Sequence, residues 1–139
     1  MTWQQRTVKL APRSRGFHLI THELEQELIE MGKPHIGLLN LFIQHTSASL
    51  SINENADPDV PADLEMAFRT IAPENLPYRH TCEGSDDMPA HIKSALSDVS
   101  LSIPVQGGRP TLGTWQGIYL FEHRTRPHSR TVILQLMGN

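Results

Sequence analysis

Ile36-Gly37-Leu38-Leu39-Asn40-Leu41-Phe42-Ile43-Gln44-His45-Thr46-Ser47-Ala48-Ser49-Leu50-Ser51-Ile52-Asn53 is the stretch whose reading decides the fold. Ile36 to Ile43 is apolar on both faces of any strand it forms, and a run of this length reads as a buried strand. After the Thr46-Ser47 step, Ala48, Leu50 and Ile52 alternate with Ser49, Ser51 and Asn53. That is the pattern of a half-buried strand with one small polar face. Together the two segments predict a hairpin. Between them, buried sequence gives way to an imidazole and small hydroxyl and amide groups, a polar mouth on a rigid scaffold where chemistry often sits.

Outward from this stretch, Thr2 to Leu10 alternates, with Trp3, Val8 and Leu10 as its apolar members, and predicts a first strand. Pro12 to Gly16 is a basic turn. Thr21 is placed to cap a helix that carries Leu24, Leu28 and Met31 at helical spacing, with acids in its first turns. Gly32 and Pro34 stop it. Asp57-Pro58-Asp59-Val60-Pro61 leads into a second helix with a stripe of Val60, Leu64, Ala67, Phe68 and Ile71, ended by Pro73. Asp86-Asp87-Met88-Pro89 is a strong start for a third. Met88, Ile92, Ala95, Leu96 and Val99 form its expected buried stripe, with His91 inside it. Leu101 to Val105 predicts a short strand and Gln106 to Gly113 a glycine-rich loop. Trp115 to His123 and Thr131 to Met137 predict a closing antiparallel pair, with Trp115, Tyr119 and Phe121 in the core. Strands at both ends with three helices between them make one α+β domain over residues 1–139, built on a large, mainly antiparallel, sandwich-like sheet.

Composition narrows the function classes. At 38% hydrophobic and 19% charged residues, the chain reads as globular. No apolar run approaches the roughly 20 residues of a membrane span, and the start lacks the apolar core of a signal peptide. A net charge of −3 gives no electrostatic case for nucleic acid. The single cysteine, Cys82, fits a reducing compartment, so the expected location is cytoplasmic.

Eight histidines in so short a chain are the useful anomaly. His45 continues the odd-numbered row Leu39, Leu41, Ile43 to the end of one strand, and His123 continues the row Trp115, Tyr119, Phe121 to the end of another. His91 lies on the helix stripe. Three imidazoles facing inward from separate elements are expected to converge as a metal site, since three neutral imidazoles with an open position suit zinc or a similar ion. His80, in a loop, is a weaker fourth candidate. Glu83 is placed for acid–base work, whereas Asp86 and Asp87 are accounted for as helix-dipole charge. No Gly-x-Ser-x-Gly elbow supports a serine nucleophile. The loop Gly107 to Thr114 offers backbone donors for a phosphate without matching a P-loop.

His45-Thr46-Ser47-Ala48-Ser49-Leu50, Asn53-Glu54-Asn55, the run Glu83 to Lys93, Gly113-Thr114-Trp115-Gln116-Gly117-Ile118 and Glu122-His123-Arg124 resemble the YjbQ family, in order and over essentially the whole chain. Ser14-Arg15-Gly16-Phe17-His18 resembles that family's opening segment. The resemblance implies an α+β fold on a large antiparallel sheet, a homotrimer, and secondary thiamine-phosphate synthase activity. That reaction joins hydroxymethylpyrimidine diphosphate to a thiazole phosphate and releases pyrophosphate. It implies a small phosphorylated metabolite as partner and a divalent metal as cofactor, either zinc on histidines or magnesium with the diphosphate. The expected catalytic set is His45, His91, His123 and Glu83, with the three histidines also as metal ligands. Thr46, Ser47, Asn53, Arg109, Thr114, Gln116 and Arg124 are the expected substrate contacts, the arginines answering charge on the leaving group. The alternative is a non-catalytic protein that binds a metal or a small phosphorylated ligand.

Overall fold

A computed structural model describes all 139 residues. Three helices and eight strands form two antiparallel sheets, a single α+β unit. The strands are β1 (Thr2–Lys9), β2 (Gly16–Leu19), β3 (Ile36–Ile43), β4 (Ala48–Glu54), β5 (Ser100–Gln106), β6 (Arg109–Pro110), β7 (Gln116–Glu122) and β8 (Thr131–Gly138). The helices are α1 (Thr21–Glu30), α2 (Asp59–Ile71) and α3 (Asp87–Leu96). One sheet runs β1-β8-β3-β5-β6 and the other β2-β7-β4. No helix is long and apolar enough to cross a membrane.

The main core lies between the sheets. Leu39, Leu41 and Ile43 of β3 and Val132, Leu134 and Leu136 of β8 point one way from the large sheet. They meet Ala48 and Leu50 of β4, Ile118 and Leu120 of β7, and Leu24 and Leu28 of α1. The alternate residues of β7, Tyr119 and Phe121, form a second cluster with Phe17, against which Leu64 and Phe68 of α2 pack. The small sheet is thus covered on both faces, as the strand period of two requires.

Neither predicted hairpin forms. β3 pairs with β5 and β8, while β4 pairs with β7, so both β3–β4 and β7–β8 change sheets at their connections. The two crossings lie side by side, because Ala48 faces Glu122 in one sheet and Ile43 faces Val132 in the other. Arg130 fastens them. Its Nε donates to Glu122 Oε2 at 2.7 Å, and its Nη2 donates to Glu122 Oε1 at 2.5 Å and to the Ser47 carbonyl at 3.2 Å. The Gln44 amide donates to the Thr131 carbonyl at 3.1 Å. Links too polar for a core and too short to wander are held by charge-assisted bonds.

Two further expectations change. β3 is not buried on both faces: Ile36, Leu38 and Phe42 are exposed on the outer side of the large sheet, which no helix covers. α3 is turned, so its buried residues are Asp87, Pro89, Ala90, Lys93 and Ser94, while Leu96 is 58% exposed. The ion pairs of the polar face outweigh the apolar stripe in setting its rotation. Similarly, Thr21 does not cap α1; its Oγ1 accepts from the Ile118 amide at 2.8 Å. Trp115 lies outside the core at 64% exposure.

Candidate functional site

The side chains best placed for chemistry gather at the start of α3. Asp87 and His91 lie one helical turn apart, and the loop before the helix brings in His80. His80 Nε2 is 2.8 Å and His91 Nε2 3.0 Å from Asp87 Oδ2. The ligand atoms of the three residues all fall within 4.8 Å of one another. Arg124 holds the acidic pair from the far side, with Nη1 2.9 Å from Asp87 Oδ1 and Nε 2.8 Å from Asp86 Oδ2. Burial pushes the Asp86 carboxyl upward, but the Arg124 bond and the Thr125 amide outweigh it and hold the group at about 2. Burial likewise opposes ionisation of Asp87, and His80, His91 and Arg124 bring its pKa below the ordinary value.

Proton accounting sets His91 apart. Its Nδ1 is 2.7 Å from the Thr46 carbonyl, which can only accept, so Nδ1 carries a hydrogen. In the neutral ring Nε2 is then a bare lone pair, and it faces a carboxylate oxygen. Two acceptors in contact require a cation between them or a second proton on the ring.

The other two expected ligands have different work. His45 Nε2 accepts from the Thr131 amide at 2.8 Å, and its Nδ1 lies 3.4 Å from Arg130 Nη1, at the crossing between the sheets. Burial and then Arg130 lower its pKa, against the pull of Glu122. His123 is fully buried, at the end of a chain of hydroxyls. Ser97 Oγ donates to the Lys93 carbonyl at 2.7 Å, so it accepts from Ser49 Oγ at 2.6 Å. Ser49 must then accept from His123 Nε2–H at 2.9 Å. The remaining atom, Nδ1, is a buried lone pair without a partner. Burial, with Lys93 and Arg130 adding to it, drops the His123 pKa to about 3.

The structure therefore does not bring His45, His91 and His123 together on one point: His45 is committed to Thr131 at the crossing, His123 to Ser49 in the core, and His91 to Asp87 on α3. Of the expected contacts, Arg124 stands at the acidic pair, Thr46 supplies its carbonyl to His91, and Ser47 supplies its carbonyl to Arg130. Glu83 offers its carbonyl to Arg124 at 2.9 Å, its side chain being exposed. Asn53, Thr114 and Gln116 lie at the opposite end of the small sheet, where Asn53 faces Gly117 and Glu54 faces Gln116. There Asn55 Nδ2 donates to the carbonyls of Thr114 and Gln116. Arg109 lies apart on β6, beside Gly107, Gly108 and Lys33. Asp87 is the residue that sequence reasoning passed over as a ligand. Its signal is the Asp-x-x-x-His spacing, which stacks both side chains on one helix face.

A model of the UPF0047 protein YjbQ-like family matches residues 6–139. The chain is 52% identical over 136 residues to a UPF0047 protein YjbQ of Escherichia coli O157:H7, covering 98% of this chain and 99% of that one. It is 47% identical to a UPF0047 protein of Synechocystis, covering 96% and 91%. A conserved hypothetical protein of Thermus thermophilus superposes with a TM-score of 0.81 at 34% identity, over 92% and 97% of the two chains. A YbjQ-like protein of unknown function from Sulfolobus solfataricus shares the fold, with a TM-score of 0.87 over 99% of each chain at 19% identity. These descriptions overturn the expected thiamine-phosphate synthase activity: the relatives are UPF0047 proteins of unknown function, with no such reaction among them. The expectation had come from the resemblance alone, and no side chain here is committed to that reaction. What stands is the family itself: the chain belongs to the YjbQ-like UPF0047 proteins.

Proposed function

We propose that the chain is a divalent-metal protein in which Nε2 of His80, Nε2 of His91 and Oδ2 of Asp87 hold one zinc-type ion. The observation that carries this reading is the His91 lone pair aimed at the Asp87 carboxylate, with the ring's other nitrogen already committed to Thr46. A carbonyl on the far nitrogen of a metal-binding imidazole fixes the tautomer and the ring plane. Two imidazoles with a carboxylate suit zinc and its first-row neighbours better than magnesium, which prefers oxygen ligands alone. Three protein ligands leave positions for water, the arrangement of a catalytic rather than a structural ion, and such an ion acidifies its water. Arg124 steadies Asp87 without occupying Oδ2.

The homotrimer belongs to the same proposal. Support comes from the uncovered side of the molecule: β3 exposes Ile36, Leu38 and Phe42, and α3 exposes Leu96. Phe42 and Val99 line an open hollow with His45 and Thr46, beside His91. A neighbouring subunit on this shelf would close the metal's open side. A cytoplasmic location, supported by the single free cysteine, completes the reading.

The test is elemental analysis of protein purified without a histidine tag, followed by zinc and cobalt titration of the chelated form. About one ion per chain is expected. His91→Ala and Asp87→Ala should lose it with the fold intact by circular dichroism, while His45→Ala keeps it. A wild type that takes up no ion under any loading, or a His91→Ala protein that binds as the wild type does, overturns the reading.

A further inference from the structure

The side of α3 turned away from the proposed metal ligands carries an amine that the fold leaves unused. Lys93 sits one turn beyond Pro89 and is 3% exposed, yet its Nζ enters none of the chain's ion pairs or side-chain hydrogen bonds. It lines a cavity of about 330 Å³ together with Arg15, Arg69, Glu74, Asp86 and His123. The buried side-chain polar atoms sealed off without a partner are Glu65 Oε2 and His123 Nδ1. Lys93 Nζ, which also lacks a partner, is not one of them, so it opens onto the cavity.

The other charges around this amine are spoken for. Glu65, behind the wall, accepts from Arg69 Nε at 3.0 Å through Oε1, which also lies 3.3 Å from Arg15 Nε. Glu74 Oε2 lies 3.8 Å from Arg15 Nη1, and Asp86 is bound to Arg124. Glu65 and Glu74 thus answer the two guanidinium groups, and a charged Lys93 is one cation too many. Burial lowers the pKa of the amine, Glu65 opposes this, and Arg15 and Arg69 add to it. An unpartnered lysine amine facing a cavity is a nucleophile for carbonyl carbon. The imine it forms is positive when it keeps its proton, and a carboxylate brought in with the carbonyl restores the balance of the wall.

We propose that Lys93 forms an imine with a small oxo acid in this cavity, the ligand's carboxylate being held by Arg15 and Arg69. The amine nitrogen bonds to the carbonyl carbon as the C=O π pair moves onto oxygen. One proton passes from the nitrogen to that oxygen and a second comes from solvent, by way of the exposed Glu74 carboxylate on the same wall. The oxygen leaves as water and the C=N bond forms, with no oxidant or reductant consumed. The site does not rest on the metal.

The chain carries its own controls for a test, because Lys9 and Lys33 are its other lysines and both are exposed. The intact chain is incubated at neutral pH with glyoxylate and cyanoborohydride, which reduces an imine to a stable carboxymethyl amine. Peptide mass spectrometry then gives the labelling rate of each lysine. Lys93 should be labelled about tenfold faster than Lys9 or Lys33, the scale of a carboxylate held beside the amine by charge-assisted bonds. A lysine kept only for structure would be the slowest of the three, being the buried one. With glycolaldehyde, which has a hydroxymethyl group in place of the carboxylate, the preference for Lys93 should fall by about tenfold. Arg69→Gln, at a half-exposed side chain, should narrow the gap between the two aldehydes. Labelling of Lys93 no faster than that of Lys9 and Lys33 overturns the proposal in the wild type, with no variant needed. Equal preference for Lys93 with both aldehydes, or an Arg69→Gln protein that keeps the full gap, overturns the oxo acid as ligand.

Discussion

Two histidine neighbourhoods flank α3, and their protons are arranged in opposite ways. At the outer one, His91 gives its Nδ1 hydrogen to a carbonyl and turns a lone pair on a carboxylate, in a cluster open to solvent. At the inner one, His123 gives its Nε2 hydrogen to Ser49 and keeps its lone pair in a place where a proton is unwelcome. His45 belongs with the inner group, because its Nε2 lone pair is taken by the Thr131 amide. An imidazole pointing inward from a strand is thus no better a ligand than one on a helix surface. What decides is which lone pair remains and what faces it.

The largest effect should come from cutting the brace between the crossings. Arg130→Met leaves Glu122 fully buried without its partner and should cost about 3–5 kcal/mol, read by urea denaturation. A loss under about 1 kcal/mol would mean that the crossings hold themselves.

Acid separates the two neighbourhoods next. The His123 pKa lies at about 3 in the fold, and the unfolded chain takes up that proton near its ordinary value of about 6.5. The contribution is therefore complete above about pH 6.5 and falls away toward about pH 3, by up to about 1.4 kcal/mol per pH unit. His45 is shifted in the same direction and adds to the slope. His123→Gln should flatten the dependence between about pH 7 and about pH 5. An unchanged slope would show that the inner imidazole takes up its proton in the fold about as readily as in the unfolded chain.

His45→Ala should cost about 1–3 kcal/mol, because the Thr131 amide loses its acceptor. It should leave zinc uptake as in the wild type, and reduced uptake would move His45 to the outer group. The smallest expected change is Ser97→Ala, about 1 kcal/mol. Its value lies in the ring nitrogen chemical shifts. The wild-type His123 should carry its hydrogen on Nε2, and freeing the Ser49 hydroxyl should let some of it move to Nδ1.

Much of the fold was legible in the sequence. The helix starts at Asp59 and Asp87, the stop at Gly32 and Pro34, and the strands at both ends fall where turn residues and alternation put them. The sheet partners were not legible, since nothing in Gln44 to Ser47 distinguishes a hairpin link from a crossing. That choice rests on Arg130, more than eighty positions downstream in the chain. The rotation of α3 was equally hidden: Met88, Ile92 and Leu96 form a stripe, but Asp86 and Asp87 are drawn inward by Arg124, a residue on another element. Of the candidate site, His91 and Arg124 were readable, and Asp87 was obscured by its adequate explanation as helix-dipole charge.

The order β1-β8-β3 carries a consequence for how the protein is made. β8, which follows the other seven strands in chain order, takes a central place, with β1 on one side and β3 on the other. Until it emerges, both neighbours offer unpaired backbone edges, and Leu39 and Leu41 lack the leucines that will cover them from β8. The large sheet therefore cannot close from its N-terminal end as the chain leaves the ribosome. A polypeptide stalled or cut before β8 would be a sticky one, and synthesis and assembly are tied to the same eight-residue strand.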